Sequence, residues 1–202
     1  MILYLHGFRS SPQSFKARML AHRMQRLGRA TQFECPQLPA SPRQAIDVAM
    51  RLIKGLPAQQ LSIIGSSLGG FYATYLAEKI GCRAVLLNPA IQPSRDLAQH
   101  IGVMRAYHSD APFEFKREYI DEISAFAVDQ ITSPERYFLL AATGDEVLDW
   151  HEMTGHYPNA HQRIIEGGDH GISDFEHYID EVLAFCDAPE GAVEVRGSNH
   201  VA

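Results

Sequence analysis

The sequence predicts an α/β fold, with a mostly parallel six-stranded sheet carrying helices on both faces. Two patterns predict it. Short runs that are apolar throughout alternate with amphipathic helical stretches almost from end to end. Strands without a polar face belong to a parallel sheet buried on both sides. The chain has 202 residues, 46% of them hydrophobic and 21% charged, which suits one globular domain with a substantial core. No composition shift, internal repeat or low-complexity segment marks a second, so residues 1–188 read as a single domain.

The elements follow in order. "MILYL" is a buried-strand pattern, and "SSPQSFKARMLAHRMQRLG" after it reads as a helix. There Ser11 caps, Pro12 takes the first helical position and Gly28 ends the run. "TQFECP" is a second strand, stopped by Pro36. "SPRQAIDVAMRLIKG" repeats the helix grammar, with Ile46, Ala49, Met50 and Ile53 on one face. "LSIIG" is a third strand, and the next helix places Ala73, Leu76, Ala77 and Ile80 together before Gly81. "RAVLLNPA", "RYFLLAATGD" and "HQRIIEGGDH" hold strands four, five and six. The closing helix begins at Ser173, with Glu176 completing a capping box, and buries Ile179, Val182, Leu183 and Cys186.

One stretch breaks this rhythm. Residues 91–136, between strands four and five, mix Tyr107, Phe113, Phe115, Tyr119 and Phe126 with charges. The segment is too long for a simple crossover helix, and two readings stand: a small cap or lid, or ordinary helices packed on the sheet. The tail, 189–202, is polar and rich in small residues, and reads as frayed.

A formal net charge of −6 argues against nucleic acid as the main partner, because phosphate binding needs clustered Lys and Arg. Lys16, Arg18, Arg23 and Arg26 lie mostly at helical spacing and read as a solvated helix face, with a local anion site as the alternative. Cys35, Cys82 and Cys186 form no C-x-x-C pair and read as buried thiols in a reducing compartment. The apolar start is too short for a secretory signal, and no stretch is long enough to span a bilayer. A cytoplasmic protein with no membrane partner is expected. His151 and His156 are spaced wrongly for a helical metal pair, and no metal or organic cofactor is expected.

The chemistry starts at "LSIIGSSLGG". Gly65-Ser66-Ser67-Leu68-Gly69 fits G-x-S-x-G, and only Ser67 fits that frame. It falls between a strand and a helix, at the carboxyl end of the strand, where reactive groups of open parallel sheets collect. A turn sharp enough to lift the hydroxyl clear needs glycine at Gly65 and Gly69. A serine hydroxyl is a poor nucleophile until a base takes its proton. His170 is the candidate base, since it follows the last strand in a glycine-rich loop, "EGGDHG". The other histidines mostly read as surface residues of helices and polar loops.

A base histidine needs a carboxylate to fix its tautomer. "AATGDEVLDW" offers Asp145, Glu146 and Asp149. Asp145 comes first after the strand and is preferred; Asp149 is the alternative acid, or else caps the following helix. Asp169 adjoins His170, and neighbouring side chains rarely bond in the needed geometry. The order Ser67, Asp145, His170 is the serine–acid–histidine order of α/β-hydrolases. The oxyanion hole is expected from the main-chain N–H of Leu68, at a helix N-terminus, and that of Phe8, after "LHG".

"LYLHGFRSSPQSFKA", "PQLPASP", "IIGSSLGGFYATYLAE", "LLNPAIQP", "TGDEVLDW" and "IEGGDHGISDFEHY" resemble, in that order, the small bacterial YqiA-type esterases of the α/β-hydrolase superfamily. The resemblance spans Ile2 to about Phe185, leaving out most of 95–136. It implies a compact hydrolase lacking the first two strands of the superfamily sheet, with Ser67 as nucleophile, Asp145 as acid and His170 as base. It also implies esterase activity on short acyl esters, with acyl thioesters as a further class. The expected activity is thus that of a serine carboxylic-ester hydrolase acting through an acyl-enzyme on small or medium acyl esters, its partner a small-molecule ester or thioester substrate. An acyl-CoA thioesterase holding the CoA phosphates near Lys16 and Arg18 is one rival, and a catalytically silent binding protein is another.

Overall fold

The computed structural model describes residues 1–108 and 112–188. The 189–202 tail therefore lies outside the described residues. Eight strands and seven α-helices are present among them. The strands are β1 (Ile2–Leu5), β2 (Phe33–Glu34), β3 (Ser62–Ser66), β4 (Arg83–Leu87), β5 (Gly102–Arg105), β6 (Pro112–Phe115), β7 (Tyr137–Ala142) and β8 (His161–Ile165). The helices are α1 (Phe15–Arg26), α2 (Pro42–Leu52), α3 (Leu68–Ile80), α4 (Pro93–Leu97), α5 (Glu118–Ser124), α6 (Trp150–His156) and α7 (Ile179–Asp187).

Six strands form one sheet in the order β2-β1-β3-β4-β7-β8, and every neighbouring pair is parallel. Alternate residues of each inner strand feed opposite cores, as a pleat requires. Leu3, Leu5, Ile63, Ala84, Leu86, Tyr137 and Leu139 face α2, α3, α5 and α6. Ile2, Tyr4, Ile64, Val85, Leu87, Phe138 and Leu140 face α1 and α7. Both faces are covered, which is why these strands read as unbroken apolar runs. The strand order reverses between β1 and β3, so a crevice opens beyond Leu5 and Ser66.

Helix starts depart from the sequence reading twice. Ser11 accepts a hydrogen bond from the Gln13 N–H in a preceding turn, and α1 begins only at Phe15. Ser173 donates its hydroxyl and its N–H to Asp169, and a short 3₁₀ turn, Phe175–His177, separates it from α7. In α7 Phe185 is buried and Cys186 only half-buried. By contrast Ser41 caps α2, accepting from the Gln44 N–H with Pro42 in the first turn. Of the three free thiols only Cys82 is fully buried; Cys35 is half-buried like Cys186. His161 sits in β8 and not in a helix or loop.

The 91–136 segment carries α4, α5 and the strands β5 and β6. Helix α5 packs Ile123 into the core, and β5 and β6 form an antiparallel hairpin away from the main sheet. Phe8 meets Phe113 and Phe115 edge-on, each with ring centroids 5.1 Å apart. The base of the hairpin is thus fastened to the loop after β1.

Candidate active site

At the end of β3 the chain turns directly into α3. Ser67 is the turning residue, with φ 55° and ψ −122°, a conformation a residue with a Cβ adopts only under strain. Its N–H is held by the Leu87 carbonyl at 3.0 Å, and its carbonyl accepts from the N–H groups of Gly70 and Ala90. The turn is closed so tightly that two glycines are obligatory. A Cβ on Gly65 would lie 2.2 Å from the Gly69 carbonyl oxygen, and one on Gly69 only 2.0 Å from the Leu5 carbonyl oxygen. The Ser67 side chain is lifted into the crevice beyond β1 and β3.

The loop after β1 passes against it. A Cβ on Gly7 would sit 3.2 Å from Ser67 Cβ and 3.7 Å from Ser67 Oγ. His6 pins this loop: its Nε2 accepts the Leu38 N–H at 3.0 Å, and Nδ1 lies 3.0 Å from the Gly7 carbonyl oxygen. Burial pushes the pKa of His6 down, so the neutral ring suits both bonds. The main-chain N–H of Leu68 is in the first turn of α3, where helix N–H groups lack intrahelical partners. Phe8 follows Gly7 on the same cavity wall.

His170 Nδ1 lies 2.7 Å from Asp145 Oδ2. The Asp145 side chain is fully buried. Its other oxygen accepts the N–H groups of Val147 and Leu148, both at 2.8 Å, so the carboxylate is fixed before it meets the imidazole. Asp149, the alternative acid, is exposed and caps α6 by accepting the His151 N–H. Asp169 is occupied by Ser173. Among the candidate acids it is Asp145 that reaches the His170 ring.

Three residues to which the sequence reading gave no such role hold the His170 loop. Asn88, at the end of β4, is completely buried at φ 43°. Its Nδ2 donates to the carbonyls of both Asp169 and His170 at 3.1 Å, while its Oδ1 accepts the Ala142 N–H of β7. Glu146 accepts the His170 N–H at 3.0 Å. Lys16 does not lie on a solvated face as the helical spacing suggested; it is buried and its Nζ donates to the Gly171 carbonyl at 2.5 Å. Arg18 on the same helix is exposed, and Arg23 pairs with Asp180. Asparagine after a strand was the one local signal, since Asn tolerates positive φ.

Ser67 and His170 line one cavity of about 750 Å³. Its walls come from the β1 loop (Phe8, Arg9), the start of α1 (Phe15, Lys16) and the 91–136 segment (Leu97, His100, Tyr107). The Tyr107 N–H donates to the Arg9 carbonyl at 2.9 Å, Arg9 Nε donates to the Arg105 carbonyl at 2.7 Å, and its guanidinium lies 4.5 Å from the Tyr107 ring centre. Five described non-glycine residues have positive φ. Four of them, Arg9, Ser67, Asn88 and Ile172, belong to the segments that shape this cavity or hold its histidine, and such strain clusters at working sites. Among the described residues no group of His, Cys, Asp or Glu could hold a metal, and no helix is long and apolar enough to cross a membrane.

The fold is that of the α/β hydrolases. An inferred hydrolase from Agrobacterium vitis S4 superposes with a TM-score of 0.72 at 17% identity, over 92% of this chain and 87% of that one. The esterase domain of a Rhodothermus marinus protein gives 0.64 at 20% identity, over 91% and 85%. Mouse alpha/beta hydrolase domain-containing protein 10 gives 0.66 at 16%, over 90% and 88%. At these identities the likeness is one of fold. Within that fold the profile of the uncharacterised protein family UPF0227 matches residues 1–187, and the chain belongs to that family, the YqiA-type family its motifs resemble.

Proposed function

We propose that the protein is a serine carboxylic-ester hydrolase acting through an acyl-enzyme. The observation that carries this reading is the 2.7 Å contact of His170 Nδ1 with the buried Asp145, in the cavity that Ser67 enters from its strained turn. Asp145 holds the Nδ1–H tautomer, leaving Nε2 free to take a proton. Ser67 Oγ attacks the ester carbonyl as His170 removes its proton, and the oxyanion is received by the N–H groups of Leu68 and Phe8. His170 then gives that proton to the departing alcohol. Water, deprotonated by the same ring, attacks the acyl-enzyme; the returning proton restores Ser67 and frees the acid. The 91–136 segment acts as a cap that shapes the acyl pocket.

An acyl thioester would follow the same steps with a thiol leaving. Lys16 is turned inward onto the Gly171 carbonyl, which argues against its holding CoA phosphates beside Arg18.

The test is intact-protein mass after exposure to a small fluorophosphonate. Wild type should gain one adduct as Ser67 Oγ forms the P–O bond and fluoride leaves, while Ser67→Ala gains none. Turnover on p-nitrophenyl esters should fall by at least about 10⁴-fold in Ser67→Ala. Folded wild type that takes no adduct and cleaves neither esters nor thioesters would overturn the reading in favour of a binding protein.

A further inference from the structure

We propose that Lys16 is a positioning residue for this reaction: its ammonium holds the Gly171 carbonyl and thereby sets where His170 stands relative to Ser67. This inference rests on the esterase reading above.

The loop from Gly167 to Ser173 has few ways to hold a fixed shape by itself. It contains Gly167, Gly168 and Gly171, it bends back through Ile172 at φ 49°, and it carries the ring that must meet Ser67. A β-branched residue in that region is under strain, so contacts from elsewhere must hold it. Those contacts are distributed residue by residue. Glu146 takes the His170 N–H, Asn88 takes the Asp169 and His170 carbonyls, and Lys16 takes the Gly171 carbonyl. Lys16 is the part of this arrangement that comes from the other end of the chain, 155 residues away, in the first turn of α1. It is also the part whose burial is unfavourable for the fold.

An ammonium removed from water and given one carbonyl is poorly compensated. Burial drives the Lys16 pKa down from 10.5 to about 8, opposed by the charges of Asp169 and Asp145. The sign follows from proton counts. Between pH about 8 and 10.5 the unfolded chain binds the Lys16 proton and the folded protein does not, so stability rises with pH there. Below pH about 8 the buried charge is a net destabilisation, fully present at neutral pH. A residue kept purely for the fold would be better as an apolar side chain of the same length. A charge retained at such a place, beside the histidine, fits a demand from catalysis.

The titratable and charged groups around it are Asp169 and His170 of the loop, Asp145 and Glu146 after β7, Arg9 and His108 along the cavity wall, and Tyr4 of β1. Burial pushes the Tyr4 pKa up, out of the working range. Lys16, its pKa lowered by burial to about 8, gives up its proton as pH rises through that value. The neutral amine is a weaker donor, so the hold on Gly171 loosens as pH rises through that value.

The experiment compares wild type, Lys16→Met and Lys16→Arg by thermal melting, fluorophosphonate labelling and steady-state hydrolysis of p-nitrophenyl butyrate between pH 6 and 10. Lys16→Met should melt at or above the wild-type temperature at pH 7, yet show kcat lowered by about 10- to 100-fold, the scale of a misplaced catalytic group. Its KM should stay within about threefold, because the substrate contacts are untouched. Wild-type kcat should decline above pH about 8, and Lys16→Arg, whose charge persists, should retain activity there. Wild-type turnover in Lys16→Met overturns the proposal, as does a loss of activity that only follows a lower melting temperature. An unchanged alkaline decline in Lys16→Arg also overturns it. Should neither variant fold, Lys16 belongs to the fold and the positioning role is lost. Failure of the esterase reading is distinct, since wild type itself would then neither label nor turn over.

Discussion

Asp145 presents its two carboxylate oxygens to different partners, and this division makes it a sharp test. Oδ1 accepts two main-chain N–H groups and Oδ2 meets His170. In Asp145→Asn the side chain keeps its shape, but one terminal atom becomes an N–H donor. If the oxygen stays with Val147 and Leu148, the amide faces Nδ1 and favours the wrong imidazole tautomer. We expect kcat to fall by about 10⁴-fold with the melting temperature little changed. Asp149→Asn should leave kcat within about twofold of wild type, since that side chain caps an exposed helix end; a crippled Asp149→Asn would transfer the acid role. Asn88→Ala should act differently. It leaves two loop carbonyls and the Ala142 N–H without their partner inside a closed core, and a destabilisation of about 2–4 kcal/mol by urea unfolding is expected, with loss of turnover. Ser67 and Asp145 could be read from the sequence because each announces itself locally, one by flanking glycines and the other by its place after a strand. Asn88 and Lys16 could not. Their partners lie 81, 82 and 155 residues away, and no spacing rule connects a lysine in the first helix to a glycine before the last.

At the scale of elements, the β3–α3 turn is the part most tightly determined by backbone contact. Gly69→Ala would place a methyl 2.0 Å from a main-chain oxygen of β1, which cannot move without breaking the sheet. We expect a loss exceeding about 4 kcal/mol, or no soluble protein, as judged by expression and urea unfolding. Gly155→Ala is the control: a Cβ there meets nothing within 4 Å, and in α6 it should be neutral or mildly stabilising. The four inner strands were legible because burial on both faces leaves an apolar run, whereas the edge strands β2 and β8 are partly exposed and were marked only by Pro36 and by the glycines after Ile165. Helix starts were legible only where the cap acts locally. Ser41 caps α2 as its sequence context indicates, whereas Ser173 is taken by Asp169 and α7 starts six residues later. That bond belongs to the His170 loop, whose shape is dictated by its contacts with other segments.

For the molecule as a whole, we propose that residues 1–188 fold as one unit that includes the 91–136 segment. The hairpin tests this because its strands differ so sharply in burial. Phe115 in β6 is 1% exposed, stacked edge-on against Phe8 and Tyr119, and joined to the core beneath α2 and α3. Val103 in β5 is 71% exposed. If the segment is integral, Phe115→Ala should destabilise the whole chain by about 3–5 kcal/mol. With a urea dependence of about 1–3 kcal/mol per molar, that moves the midpoint down by more than about 1 M. Val103→Ala should stay within about 0.5 kcal/mol. Trp150 is the single tryptophan and sits in α6, outside the segment, so its fluorescence reports on the main sheet and its helices. In one unit the Trp150 and far-ultraviolet dichroism transitions coincide and shift together in Phe115→Ala. A separate cap would melt early in the dichroism and leave the Trp150 midpoint in place. Coincident transitions would also bear on specificity. A wall anchored by Phe115 keeps the cavity at one size, so acyl-length preference should follow substitutions lining that wall, such as Leu97→Ala; with a separately melting cap, it would track the cap's opening and vary with urea below the global midpoint.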